Sequence, residues 1–454
     1  MPHYTAKENL FQRDLVASLR DVPWRRRQVH FVLGTDEFIH HERRVALTPR
    51  HIRQLRDDLE AVGLEPRITV VAGAGARATG SHGEDAFDDA QYTAAGAEVV
   101  AADAVATLPP VDVLHALKEP TAYESESPGS MLRIGALHLA SKPPGLCTLL
   151  ERRNFSAVID GGTVGSCSYL LHGGDRTPIV GSMSRFAGWV SGRRVVEGLD
   201  SQEIDGGKIV VVGGGIAGQA AIERMAPKAD PLVVIDPWQP THERLRQVLP
   251  ELGVERFELL TELDPEVMDD AVGIVFAHRS GAKKAEKVCD YDLHIRRMRS
   301  GAVIADIAID QGGSIAHDGY LEADDATASR SKYIELLTPE YIYYAETNMP
   351  REEPHVASEV HGDSSLPYVT ALLALCAAHG ETEAVRERIL SWEPRAYSER
   401  SELGSNGFVD CVVQDLRNGT QLTTDGEGIR ITDRDIAADP DLSGWVMQCA
   451  AGGL

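Results

Sequence analysis

The sequence predicts an α/β protein of two domains, each built on a parallel sheet, and three observations carry that prediction. Short apolar runs alternate with helix-forming stretches from residue 29 onward. The rhythm breaks in the polar stretch VVEGLDSQEIDGG and restarts at Lys208. The restarting strand, KIVVV, then runs into a glycine-rich turn followed by a second helical stretch. Alternation on this scale marks βαβ units, whose crossover helices make neighbouring strands parallel. At 454 residues, 43% of them apolar, the chain is long enough to bury more than one core.

The elements follow in order. Residues 1–28 read as an N-terminal extension: an amphipathic helix in AKENLFQRDLVASLRDV, then the basic cluster Trp24-Arg25-Arg26-Arg27. Residues 29–194 form the first domain, in which VHFVLG, RITVVAG, VDVLHALKE, MLRIGALHLA and FSAVID are the strands and HIRQLRDDLEAVGL is a helix. Residues 195–347 form the second, on KIVVV, PLVVID, GIVFA, AVIADIAI and YIYYAE. Within 348–380, LPYVTALLALCAAHG is apolar enough to be a helix packed on a core. Residues 381–454 are charged and irregular, a C-terminal extension. The run GAVIADIAIDQGGSI is expected to be a buried strand that ends at Asp310-Gln311-Gly312-Gly313.

Charge removes some function classes. Lys and Arg total 45 against 69 Asp and Glu, a formal net charge of -24, so nucleic-acid backbones and anionic membrane surfaces are not the expected partners. No apolar run approaches the ~18 residues of a membrane helix, and the start MPHYTAKENLFQRDL lacks an apolar signal core; a cytoplasmic protein is expected. Six Cys are scattered without a CxxC pair, so neither a metal site nor a disulfide framework is indicated.

KIVVVGGGIAGQAAIERMA supplies strand, Gly213-x-Gly215-x-x-Gly218 and helix. The three glycines suit a tight turn, close backbone approach to a pyrophosphate, and close helix-to-strand contact, with the anion resting on the helix N-terminus. Gly213, Gly215, Ile216, Ala217 and Gly218 are therefore the expected Rossmann dinucleotide cradle. PLVVID ends at Asp236, near the ~20-residue spacing at which an acidic side chain binds a ribose 2′-hydroxyl and repels a 2′-phosphate. NAD is expected over NADP.

With HERRVALTP (41–49), LKEP (117–120), ALHLA (136–140), Met183-Ser184 in SMSRFAG, GGGIAG, GAKKAEK, DIAIDQGG, ETNMP and LPYV in this order, the chain resembles the alanine dehydrogenases and their relatives, the transhydrogenase alpha subunits and saccharopine dehydrogenases. The resemblance spans roughly residues 30–375 and rests most on DIAIDQGG and HERRVALTP. It implies a substrate domain completed by a helix following the NAD domain, two Rossmann-like folds with the active site in the cleft between them, and a homo-oligomer. Carried over residue by residue, it implies that Arg44 and Lys118 bind the carboxylate and carbonyl of an amino acid or 2-oxo acid. His138 would be the acid or base at the reacting carbon, with Lys118 and Asp310 beside it in the chemistry. Asp310 and Asn348 would line the cleft at the nicotinamide, Asn348 also facing the substrate, and Ser184 would touch the cofactor. The chemistry agrees with these residue types: Arg offers a carboxylate a bidentate fork, Lys a point charge, and His carries protons with a pKa near ~6.5. Asp306, four residues before Asp310, is expected to make structural hydrogen bonds.

Lys118 and His138 separate the chain from the transhydrogenase branch, which lacks them, and leave saccharopine dehydrogenase-like imine or opine chemistry as the alternative enzyme. A catalytically idle NAD-binding protein is the alternative outside enzymology. Arg185 after Met183-Ser184, and His355 after ETNMP, depart from the alanine dehydrogenase pattern and imply a larger or differently charged amino acid, or an imine formed from an amine and an oxo acid.

Overall fold

The computed structural model describes residues 10–20, 22–35, 42–80, 85–118, 131–135, 155–160, 181–278, 287–317, 326–338 and 340–380, with short pieces at 413–414, 421–423 and 430–432. The chain divides into two compact units, Met1–Ser182 with Arg351–Leu454, and Met183–Pro350. Among the described residues no helix is long and apolar enough to cross a membrane.

The first unit carries β1 (Gln28–Leu33), β2 (Glu65–Val71), β3 (Glu98–Val100), β4 (Val113–His115), β5 (Met131–Gly135) and β6 (Phe155–Asp160). They lie side by side as β6-β5-β4-β1-β2-β3, all parallel, with the short strand Val413–Gln414 antiparallel to β6. Numbered within the unit this is 3-2-1-4-5-6, the doubly wound order, whose direction reverses between β1 and β4. β1, β2 and β4 read as continuous apolar runs rather than alternating ones because a parallel sheet is covered on both faces. Phe31, Leu33, Val70 and Val113 are fully buried in its core.

The N-terminal helix, expected to be an extension, is built into that core, and the helix expected to pack on it does so. Helix Leu10–Leu19 buries Val16, and Gln12 donates to Asp58 and to Thr370 (2.8 and 2.9 Å). The amides of Arg25 and Arg26 bond the Ala377 carbonyl, and Arg26 pairs with Asp112. The N-terminal segment is thus a packed part of the unit rather than an appendage. Helix Pro354–His379 starts well before the LPYV run and lies against β1, β4 and helix Pro49–Ala61. Arg50 clasps Glu359 and Asp363 across these two helices.

The second unit carries β7 (Gly207–Val212), β8 (Ala229–Ile235), β9 (Phe257–Leu260), β10 (Gly273–Phe276), β11 (Cys289–Asp290), β12 (Val303–Asp306), β13 (Ile315–Ala316) and β14 (Ile342–Tyr344). The main sheet runs β14-β12-β10-β7-β8-β9, again 3-2-1-4-5-6 and all parallel; β11 and β13 pair separately. Helix Gly181–Ser201 belongs to this unit from Met183 on. The change of unit therefore precedes the expected 195, because the polar stretch starts as the last turns of a helix and becomes irregular only after Ser201.

One expected strand end is corrected. β12 stops at Asp306, and Ile307–Gln311, including Asp310, form a 3₁₀ turn. The reason is local: the buried Asp306 carboxylate accepts from the Ala308 amide (3.0 Å) and caps that turn. It also accepts from the Ser314 amide and hydroxyl, both at 2.8 Å.

Candidate active site

In doubly wound sheets ligands collect beyond the carboxyl ends of the strands, near the point where strand order reverses. In the first unit, Thr35 follows β1 and Glu42–Arg44 come next among the described residues, β2 leads to the turn at Gly73–Arg77, and β4 leads to Lys118. The charged residues of the expected substrate end are gathered at that edge.

At its centre is Glu42, a residue the sequence reading did not single out. Its side chain is fully buried. Oε1 accepts from Arg44 Nε (2.8 Å) and from the amides of Arg43 and Arg44 (both 3.0 Å), and Oε2 accepts from Arg44 Nη2 (2.7 Å). Lys118 Nζ stands 4.0 Å from Oε2. Glu42 thus ties Arg44 and Lys118, distant in sequence, to one carboxylate. Burial alone would raise its pKa, but the charge and hydrogen bonds of Arg44, with the charge of Lys118, hold it well below the usual carboxylate range. The Glu42 contact with the Nε–Nη2 edge of Arg44 fixes the plane of the guanidinium. The Val45 amide, next along, donates to Ser358 Oγ on helix Pro354–His379 (2.9 Å).

A second unforeseen residue positions Lys118. Arg133 lies in the middle of β5 and is fully buried. Its Nη1 donates to the Ala116 carbonyl (3.0 Å) and its Nη2 to the Lys118 carbonyl (2.8 Å), so a cation holds the backbone that presents Lys118. The signal was present as an arginine inside the apolar strand MLRIG.

Beside this cluster lie two buried imidazoles, His115 at the end of β4 and His361 on the long helix, with ring centroids 5.8 Å apart. His115 Nδ1 donates to the Ile134 carbonyl (3.0 Å). Its Nε2 and both nitrogens of His361 have no hydrogen-bond partner among the described residues. Burial pushes the His115 pKa down to about 3, and burial together with the charges of His115, Arg44 and His51 pushes His361 well below the usual range.

In the second unit, strand β7 delivers the glycine turn. Gly213 has φ +96°, and a Cβ at Gly218 would fall 1.9 Å from the Gly213 carbonyl oxygen, so this turn and the helix behind it close only on glycine. A Cβ at Gly215 would meet open space instead, at the N-terminus of helix Ile216–Met225. Room for an anion at the end of a ten-residue helix is what a dinucleotide pyrophosphate needs. Asp236 follows β8; it is buried, its Oδ2 accepts from the Gly214 amide (2.8 Å) and its Oδ1 from the Trp238 amide (2.9 Å). A carboxylate has about four acceptor positions, so both bonds leave capacity for a ribose hydroxyl.

Of the remaining expected residues, Ser184 is exposed on helix Gly181–Ser201, and Asn348 is half-buried in a left-handed conformation, φ +60°, before the turn Met349–Glu352. Ile216 and Ala217 form the first turn of the helix after the glycines. Asp310 has its backbone in the 3₁₀ turn, but its side chain lies outside the described residues, as does all of His138. Lys287, the last residue of GAKKAEK, donates to the Gly313 carbonyl (2.7 Å) and to Tyr333 Oη (3.1 Å). Two motifs quoted separately from the sequence therefore meet at one turn.

A family profile described as the alanine dehydrogenase/PNT N-terminal domain matches residues 35–187, and one described as the C-terminal domain of the same family matches residues 190–393. Alanine dehydrogenase 2 of Staphylococcus aureus (strain USA300) is 29% identical over 360 residues, covering 74% of this chain and 85% of that protein. A solved L-alanine dehydrogenase superposes with a TM-score of 0.60 at 22% identity, covering 91% of this chain and all of that one. A transhydrogenase from Sinorhizobium meliloti superposes with a TM-score of 0.57 at 16% identity, covering 76% of this chain and 95% of that one.

Proposed function

This chain belongs to the alanine dehydrogenase/PNT family, and from that premise we propose that it is an NAD-dependent amino-acid dehydrogenase. It would interconvert an L-amino acid, NAD and water with a 2-oxo acid, ammonium, NADH and a proton. The observation that carries the proposal is the joint placement of Arg44 and Lys118 on the buried carboxylate of Glu42, beyond the carboxyl ends of β1 and β4. Two oriented cations at that edge suit a substrate with a carboxylate and an adjacent carbonyl or amine.

In this reading Arg44 binds the carboxylate and Lys118 polarises the carbonyl oxygen or steers the amine. His138 takes the proton released as water adds to the imine, and Asp310 stabilises the positive charge that develops there; for both, the role rests on the family pattern. Bound NAD supplies a hydride acceptor for the α-carbon. Gly213 to Gly218 would hold its pyrophosphate and Asp236 its adenosine ribose, with Ser184 and Asn348 toward the nicotinamide end. The reading carries with it a homo-oligomer working in the cytoplasm.

The test is a screen of L-amino acids with NAD, followed by NADH absorbance, on the full chain and on Lys118→Ala. NADH formed by the wild type and lost in the variant, with NADH binding retained, is the expected result. No turnover of any amino acid, alongside normal NADH binding, would favour the idle NAD-binding alternative.

A further inference from the structure

The segment after β8 is pinned to the glycine turn and presents a large aromatic side chain there. The Asp236 carboxylate accepts from the Gly214 amide in that turn and from the Trp238 amide. His242 Nε2 donates to the Asp236 carbonyl (2.7 Å), and the Thr241 amide donates to the Trp238 carbonyl (3.0 Å). A Cβ at Gly214 would fall 2.6 Å from the Thr241 methyl carbon, so helix Gln239–Glu251 begins in contact with the cradle. Trp238 therefore stands at the N-cap of that helix with both its backbone groups bonded. Its indole is 50% exposed; among the described residues only Leu293 is another large apolar side chain so open to water. A single exposed aromatic needs no explanation by itself. This one follows by two residues the carboxylate proposed to hold the adenosine ribose, on a backbone tied to that carboxylate.

We infer that Trp238 provides the aromatic face on which the purine of the dinucleotide stacks. Trp238 in this role deepens the dehydrogenase reading and rests on its cofactor half alone, whatever the substrate. The purine is bonded to the ribose carbon next to the one that bears the 2′-hydroxyl, so a hydroxyl held by Asp236 brings the base to the chain that follows β8. Two residues span at most about 7 Å, which is within the reach of one nucleoside. An indole on a backbone already fixed offers a flat apolar face at the cost of ordering only two side-chain torsions. Stacking takes the open face of the indole and one face of the base out of water together, and every base has such a face. The glycine turn and Asp236 answer to pyrophosphate and sugar. Trp238 adds the base, and with it a preference for the dinucleotide over its nicotinamide half.

The experiment measures binding rather than turnover, by calorimetry with NADH and with ADP-ribose, on the full chain, Trp238→Ala and Trp238→Phe. Both ligands are expected to bind Trp238→Ala about five- to a hundredfold more weakly, the value of one base–aromatic stack, and Trp238→Phe is expected to recover most of that loss. ADP-ribose, which does not absorb tryptophan emission, is expected to quench the fluorescence of the wild type, and Trp238→Phe is expected to bind it with that quenching largely gone. Wild-type affinity in Trp238→Ala, an affinity loss that Trp238→Phe does not recover, or quenching that persists in Trp238→Phe each overturns the inference. A changed mass of Trp238→Ala in size exclusion, with its NADH affinity intact, also overturns it and gives the indole to a contact between copies. A wild type that binds neither ligand overturns the cofactor reading and this inference together, whereas tight wild-type binding with an indifferent Trp238→Ala overturns this inference alone.

Discussion

At the scale of single residues, the site depends on Glu42 as much as on the cations it holds. Arg44 is buried with its side chain only 4% exposed, and its charge is matched by Glu42 on two hydrogen bonds. Removing one partner of a buried pair leaves an uncompensated charge, a loss of about 3–5 kcal/mol. Glu42→Gln is therefore expected to be strongly destabilised in denaturant unfolding, and the double variant Glu42→Gln with Arg44→Met to be less destabilised than the two singles added together. Strict additivity would mean that the pair is not coupled. At the other end of the chemistry, the wild type is expected to use NAD well and NADP poorly, with Asp236→Ala narrowing the gap by removing the charge that repels a 2′-phosphate. Comparable kcat/KM for both cofactors in the wild type would sink that assignment. Arg44, Lys118 and Asp236 were legible because motif and spacing mark them. Glu42 and Arg133 were not singled out, because a charged residue, whether among the charges of HERR or inside the apolar strand MLRIG, acquires its meaning only when the fold supplies its partners: Lys118, far along the chain, for Glu42, and the Ala116 and Lys118 carbonyls for Arg133.

At the scale of elements, DIAIDQGG shows where pattern reading stops. Apolar periodicity continues through Ile307 and Ile309, so a strand to Asp310 was the natural expectation. The Asp306 side chain, by bonding the Ala308 amide, competes with the ladder and turns the chain four residues early. The two aspartates then divide the work. Asp306 is fully buried, and burial raises its pKa to about 6 although Ser314 and Ala308 donate to it and Lys287 adds its charge. Its oxygens accept three hydrogen bonds, which the single carbonyl of an asparagine cannot all receive. Asp306→Asn is expected to lose about 1–3 kcal/mol of stability while the folded fraction still turns over. Asp310→Asn is expected to keep its thermal midpoint and NADH affinity and to lose most of its turnover. The assignment fails if the effects are exchanged, with Asp310→Asn unfolding and Asp306→Asn folded but inactive.

At the scale of the molecule, both parallel sheets were legible as rhythm, because strands covered on two faces are largely apolar, whereas the 3-2-1-4-5-6 order of each came only with the structure. What the rhythm could not show is how the buried polar groups of the first unit set its response to acid. His115 and His361 are enclosed among Arg44, His51 and Glu42, and burial holds both in the neutral form, His115 down to about 3. In the unfolded chain the same imidazoles take up protons below the ordinary value of ~6.5. Between that value and the depressed native one the unfolded state binds more protons, so stability falls as pH falls, by about 1.4 kcal/mol per pH unit for each histidine. Asp306 works in the opposite sense between its ordinary value and about 6, but it does so equally in any variant that retains it. The difference between two pH profiles therefore isolates one imidazole. Denaturant unfolding of the wild type and of His361→Leu, which keeps the site apolar and filled, is expected to give curves that diverge below pH ~6.5 with the slope of one proton, the variant gaining relative stability as the solution is acidified. Curves that stay parallel down to pH ~4 would mean that His361 takes a proton in the folded protein, with Glu42 near enough to stabilise it, and that the enclosure does not exclude charge.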